Sequence, residues 1–263
     1  MNGDGKPVLW HIGISHYNEK VRWALAYKGV EHERRAAPAP PGSHMLMALW
    51  LTRGRHKTFP VIRLDGEVIG DSTAIIAALE EHSPEPPLYP VDAAERRRAL
   101  ELEDWFDERL GPQIRLLVWH EVTAKGGSEA MGQIADQYLP RSLRGSRVAR
   151  HAGSRLGSAF VALRFRVRSD DAAENARRAV LEALDRLEAE LGGRDYLVGD
   201  SFTVADLTAA SLFYPLATPP EGPKLPPPPR ALEEFREPLR ERQGYRWVEE
   251  MFRRHRKPVS AAA

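Results

Sequence analysis

The chain has 263 residues, of which 42% are hydrophobic and 29% charged, with a formal net charge of +1. That balance fits one large or two modest soluble globular domains and supplies no global field for nucleic acid. There is no cysteine, which excludes disulfides, thiolate metal sites and a cysteine nucleophile, so any thiol in the chemistry must arrive on a ligand. The sequence shows no apolar run of about 18 residues and no secretory leader pattern, and a cytoplasmic location is the expectation.

In chain order, the apolar run 6–12 (KPVLWHI) reads as a strand. Val21, Ala24, Leu25 and Tyr27 then recur at helical spacing, with Gly29 as the stop. Residues 30–37 read as an edge strand, and a proline-rich loop leads into a short helix. Between 58 and 72 two short apolar runs flank Asp65-Gly66, a dipeptide suited to the left-handed angles of a tight hairpin. A helix capped by Ser72 follows, completing β-α-β-α-β-β-α. The prolines of 84–92 mark a stiff linker, after which the periodicity is helical throughout. Leu100 to Leu110 predict one long helix bent near Gly111-Pro112, and Leu181 to Leu191 another closed by Gly192-Gly193. The chain thus divides into an α/β unit (1–83), the linker (84–92) and an all-helical unit (93–263).

Four stretches carry the chemistry. Ser15 and Asn18 stand three apart where the first strand meets the first helix (ISHYNEKVRWAL). Ser15 is either a helix cap with Asn18 at the third helical position, or a hydroxyl donor facing a ligand at a positive helix end. Pro60 in HKTFPVI is either an edge-strand proline or a cis-proline that turns the backbone of Phe59 toward a ligand. Asp71-Ser72 opens a helix and suits either capping or anion binding. Thr203 and Asp206 form a capping box, with Phe202 and Leu207 as its hydrophobic staple, and serve folding.

With their order and the proline-rich linker, these motifs resemble the cytosolic glutathione transferase superfamily, serine type. The resemblance implies a thioredoxin-like N-terminal domain and an all-α helical-bundle C-terminal domain. It implies Ser15 as the catalytic donor to the glutathione thiolate. Lys57, Phe59, Pro60, Asp71 and Ser72 would bind glutathione, the co-substrate, or a related thiol. Tyr17, Asn18, Trp105, Arg109, Trp119 and His120 are candidates for the pocket of an apolar electrophile. Trp105 and Trp119, 14 residues apart, would share a face of an unbent helix. Asn18 cannot form a mixed disulfide, which disfavours thiol-transferase chemistry. No metal is expected, and a homodimer is.

Two other functions fit the same sequence: a non-catalytic binding or assembly protein on this fold, and a glutathione-dependent isomerase or lyase. Residues 137–169 hold eight arginines and no acid. They read as a solvated helical insert, with an anionic substrate, an acidic partner or a membrane surface as alternatives, whereas nucleic acid is disfavoured for want of interleaved aromatics.

Overall fold

The computed structural model describes residues 5–38, 41–123, 128–139, 141–143, 145–165, 167 and 169–256. The N-terminal part is a four-stranded mixed sheet in the order β2-β1-β3-β4, where β1 is Val8–His11, β2 Glu33–Ala36, β3 Val61–Leu64 and β4 Glu67–Gly70. β1 pairs parallel with β2 and antiparallel with β3, and β3 pairs antiparallel with β4. The two central strands are apolar on both faces, as strands covered on both sides must be. Leu9 and Ile62 pack with Val21 and Leu25 of α1 (His16–Tyr27) and Ile75 and Leu79 of α3 (Ser72–His82). Val8, Trp10 and Val61 point the other way, against Ala48 of α2 (Ser43–Leu51) and Phe59. Asp65 and Gly66 both take positive φ, at 50° and 85°, the geometry of a two-residue hairpin turn. The edge strand β2, with sequence ERRA, is largely exposed.

One cap differs from expectation. Asp71, not Ser72, caps α3, accepting from the N–H groups of Thr73 and Ala74 at 3.0 and 3.2 Å. Ser72 is instead the first helical residue and is buried.

From Ala93 onward the regular structure of the described residues is helical. It comprises α4 (Ala93–Trp105), a π-helical turn (Phe106–Leu110), α5 (Gly111–Thr123), α6 (Ser128–Tyr138), α7 (Arg147–Phe165), α8 (Asp170–Leu191), α9 (Val204–Ala217), α10 (Arg230–Arg236) and α11 (Gln243–His255). The expected bend near Gly111-Pro112 is a change of winding in the five residues before it. A π turn carries an extra residue, which rotates the faces of α5 relative to α4 by about 100°. Trp105 and Trp119 therefore do not share a face as an unbent helix would place them. Gly111 is required here for contact: a Cβ at this position would lie 2.0 Å from the Tyr17 hydroxyl.

The linker is clamped to the first helix. Lys28 Nζ donates to the carbonyls of Ser83 and Pro86 at 2.7 and 3.0 Å, and Glu80 accepts from the N–H groups of Leu88 and Tyr89. At the centre of the helical part, every residue of α9 is buried. Its first turn is held by Asp206, which accepts from Leu197 N–H, Thr203 N–H and Thr203 Oγ1, each at 2.8 Å. Asp206→Ala strands two buried N–H donors and should lower unfolding free energy by about 3 kcal/mol or more. Chemical denaturation checks this, and a loss under about 1 kcal/mol would mean that another group takes over the cap.

Candidate active site

The first βα turn (12–15) is shaped by one side chain, that of Asn18. It is fully buried. Its Oδ1 accepts from Ile12 N–H at 3.0 Å, while Nδ2 donates to Ser15 Oγ at 2.8 Å and to the Phe59 carbonyl at 3.2 Å. Only this amide orientation matches a donor to the acceptor oxygen and acceptors to the NH₂. Asn18 thus joins the β1 end, the serine and the residue before Pro60, whose peptide bond with Phe59 is cis. Ser15 occupies the N-cap position of α1 with extended backbone angles, yet its hydroxyl makes no capping hydrogen bond. The hydroxyl accepts from Asn18, which leaves its own proton available at the N-terminus of α1.

Two buried charge clusters hold this corner. Arg22 donates to the carbonyls of Ile12 and Gly13 at 3.1 and 2.9 Å, and its Nε pairs with Glu19 at 2.8 Å. The other oxygen of Glu19 accepts from Arg256 at 2.6 Å. Lys20, fully buried, meets Glu103 Oε1 at 2.8 Å and Asp107 Oδ2 at 2.7 Å, and the single hydroxyl of Thr73 lies within hydrogen-bond distance of both carboxylates, at 3.0 and 2.8 Å. Burial alone would lower the Lys20 ammonium, but the Asp107 and Glu103 carboxylates outweigh it and hold it charged, whereas burial pushes Glu103 up. One ammonium faces two acids, and Asp107 Oδ1 and Glu103 Oε2 are buried without a hydrogen bond.

α1 docks on the π turn through its first residues. Tyr17 donates to the Asp107 carbonyl at 2.8 Å, and His16 Nε2 lies 3.1 Å from the Gly111 carbonyl. Burial pulls His16 down to about 3, assisted by the Arg115 guanidinium, and pulls His11 to about 3 with Arg22 beside it. Both imidazoles are neutral at physiological pH.

A cavity of about 810 Å³ opens beside Ser15. Of the residues picked out in the sequence, Ser15, Tyr17, Lys57, Phe59, Pro60, Asp71, Ser72 and Trp119 line it. Lys57 and Asp71 are exposed, and Ser72 is buried. Asp71 has φ +76°, a region that costs a non-glycine residue about 1–3 kcal/mol and that clusters at functional sites. Phe59 is buried, and its carbonyl is taken by Asn18.

Four pocket candidates lie elsewhere. Asn18 is packed beneath the turn and touches no cavity wall. Trp105 and Arg109 line a separate small pocket with Gln113 and Glu182, because the π turn swings them away. His120 faces the segment after α7, its Nδ1 2.7 Å from the Val167 carbonyl. The arginine-rich stretch is more than a solvated insert: the inner face of α7, including Gly157, Phe160 and Val161, forms one cavity wall. Arg144, Arg166 and Arg168 of that stretch lie outside the described residues.

Sequence reading missed Asp107 and Arg115, which also line the cavity. Asp107 sits four residues after Glu103, a spacing that places both carboxylates on one helix face, and that pair was the available signal. Nothing local distinguishes Arg115 from a surface arginine.

A thioredoxin-like sheet with a serine at the first helix, joined to a helical domain, is the architecture of glutathione transferases. Residues 9–87 match the glutathione S-transferase N-terminal domain family and residues 154–254 the C-terminal domain family. The chain belongs to the glutathione transferase superfamily. It is 30% identical over 128 residues to maleylacetoacetate isomerase of Dictyostelium discoideum, covering 48% of this chain and 58% of that protein. The match therefore spans little more than half of that relative's length. FtsZ-localized protein A of Caulobacter vibrioides is 28% identical over 210 residues, covering 77% and 74% of the two chains. The fold is similar to that of the β-etherase LigF from Sphingobium sp. strain SYK-6, with a TM-score of 0.58 at 21% identity over 94% of this chain and 99% of that one.

The two buried histidines set a pH dependence. Their folded values lie below the ordinary 6.5, so the unfolded chain binds more protons between about 6.5 and 3, and stability rises with pH across that window. Stability is fully present above 6.5 and is lost as pH falls toward 3. His16→Gln should flatten the dependence of the urea midpoint in this window by up to about one proton, or 1.4 kcal/mol per pH unit. An unchanged slope would show that His16 is not buried neutral.

Proposed function

We propose that the chain is an enzyme that binds glutathione, or a closely related thiol, and conjugates it to an apolar electrophile. The observation that carries this reading is the Ser15 hydroxyl, engaged by Asn18 as an acceptor and therefore oriented to donate at the mouth of the cavity. A free thiol with pKa about 8.5 is mostly protonated at neutral pH, and lowering it by two units takes about 2.7 kcal/mol of preferential thiolate stabilisation. A charge-assisted hydrogen bond from Ser15 and the positive end of α1 supply that preference. The thiol proton leaves to solvent, and the sulfur bonds the electrophilic carbon as the leaving group departs with its electron pair, or as a double bond opens and its other carbon takes a proton from solvent.

The rest of the tripeptide fits the neighbouring polar groups. The γ-glutamyl carboxylate takes the N-terminus of α3 and the Ser72 hydroxyl. Its ammonium faces Asp71 and the unpaired oxygen of Asp107. Lys57 meets the glycine carboxylate, and the backbone of Phe59 meets the cysteinyl part. The electrophile occupies the apolar space between α5, α6 and α7. Leu46 and Trp50 on α2 are 71% and 79% exposed, and we assign this apolar face to a homodimer contact.

A second reading keeps the thiol but not the conjugation. In a glutathione-dependent isomerase the thiolate adds to a double bond and is expelled after rotation, so glutathione is regenerated. The names of the Dictyostelium and related matches favour this alternative. A non-catalytic binding or assembly role is the remaining alternative, and the similar FtsZ-localized protein A bears a name that gives a location and no reaction.

Calorimetric titration with glutathione should give saturable heat, and no heat would remove the thiol-binding reading. Ser15→Ala should lower kcat/KM for conjugation about 10²-fold while leaving glutathione affinity within about threefold, since the hydroxyl acts on the thiolate and not on the anchoring groups. Unchanged kcat/KM in that variant would show that the serine is not the donor.

A further inference from the structure

The cavity contains a charge imbalance that thiol binding does not use. Arg115, on α5, is partly buried and lines the cavity, as does the exposed Arg164 on α7. Among the described residues neither guanidinium has an ion pair or a hydrogen bond. They share one aromatic ring instead: Arg115 Cζ lies 4.9 Å from the Phe165 centroid and Arg164 Cζ lies 5.3 Å from it, and Arg115 is also 5.8 Å from the Tyr17 ring. Burial pushes Arg115 down, and Arg164 adds to that shift. Other arginines at helix junctions are matched with acids, such as Arg98 with Glu190, Arg177 with Glu121, and Arg242 with Asp185 and Glu188. Glu108 lines the same cavity but forms no ion pair with either guanidinium.

Two cations that share one ring beside an apolar cavity suit a planar anion, because guanidinium presents paired donors that match a carboxylate. An arginine held only by ring faces costs desolvation that a carboxylate would offset. The remaining wall, formed by Val118, Met131, Ile134, Phe160 and Val161, accepts an apolar body. We infer that the second substrate is an amphipathic organic carboxylate, its apolar part among α5, α6 and α7 and its carboxylate between Arg115 and Arg164. The inference deepens the thiol-transfer reading by naming the acceptor class, and gives the arginine-rich α7 a role in specificity. A carboxylate of glutathione itself would present the same chemistry, so the two sources must be separated.

The test compares binding of cinnamate with that of its methyl ester by calorimetry at neutral pH without glutathione, in parallel with a glutathione titration. The wild-type protein should hold the acid about tenfold or more tighter than the ester. Arg115→Met should abolish that preference and Arg164→Met should reduce it about threefold, both with glutathione affinity unchanged. Arg164 is exposed, so its variant reads the site even if Arg115→Met folds poorly, and Arg115→Lys should retain part of the preference. Equal affinity for acid and ester in the wild type, or a preference intact in both Met variants, overturns the inference. A loss of glutathione affinity in Arg115→Met also overturns it, by assigning that guanidinium to the thiol. Absence of glutathione binding with the acid preference kept would sink the thiol-transfer reading alone.

Discussion

The whole site depends on the amide of Asn18. One side chain, fully buried, joins Ile12, Ser15 and the carbonyl of Phe59, and so brings together the end of β1, the start of α1 and the strap before β3. The amide is itself fully buried, so leaving one of its groups, or the Phe59 carbonyl, unpaired would cost about 1–3 kcal/mol. The same amide decides which way the serine hydroxyl acts. Because Nδ2 donates to Oγ, the oxygen's acceptor role is used internally and the proton is left for a ligand. Capping and thiolate stabilisation, which share one position in sequence, separate here because the hydroxyl makes no cap.

Around that amide the protein buries charge to fix helix positions. Glu19 is held between Arg22 and Arg256, which ties the C-terminal end of the described chain to the active-site turn. Lys20 ties α1 to α3 and to the π turn through Thr73, Glu103 and Asp107. Removing one partner from such a cluster leaves an uncompensated buried charge and costs about 3–5 kcal/mol. Tyr214 of the buried helix α9 donates to the Ile14 carbonyl at 2.8 Å, so the helical domain also holds the turn in place. A serine on such a turn has little freedom to move, which suits the preorganised donation to a thiolate proposed for Ser15.

Much of this architecture was legible in the residues. The short apolar runs in VLWH and VIRL, the Asp65-Gly66 turn, and the Thr203–Asp206 box each act over a few residues, so local rules recover them. The helix cap at Asp71 was misassigned to its neighbour Ser72 because both residue types cap well and only backbone angles decide between them. The π turn at Phe106–Leu110 was not legible, since the side chain that packs on it, Tyr17 against the Asp107 carbonyl and Gly111, lies some 90 residues away. For the same reason Trp105 and Arg109 line a different pocket from the one beside Ser15. Asn18, read in the sequence as a pocket candidate, instead joins Ile12, Ser15 and Phe59 beneath the turn, and no spacing rule encodes that set of partners. Arg115 becomes distinctive only when the fold shows what it lacks.

The account is tested most directly by the thiolate absorbance of bound glutathione, titrated against pH in the wild-type protein and in Asn18→Ala. If Asn18 aims the serine hydroxyl, the bound thiol should ionise about two units below the free value in the wild type, and the Asn18→Ala variant should recover at least half of that shift. An identical titration midpoint in the two proteins, with glutathione bound to both, would contradict the central role assigned to Asn18.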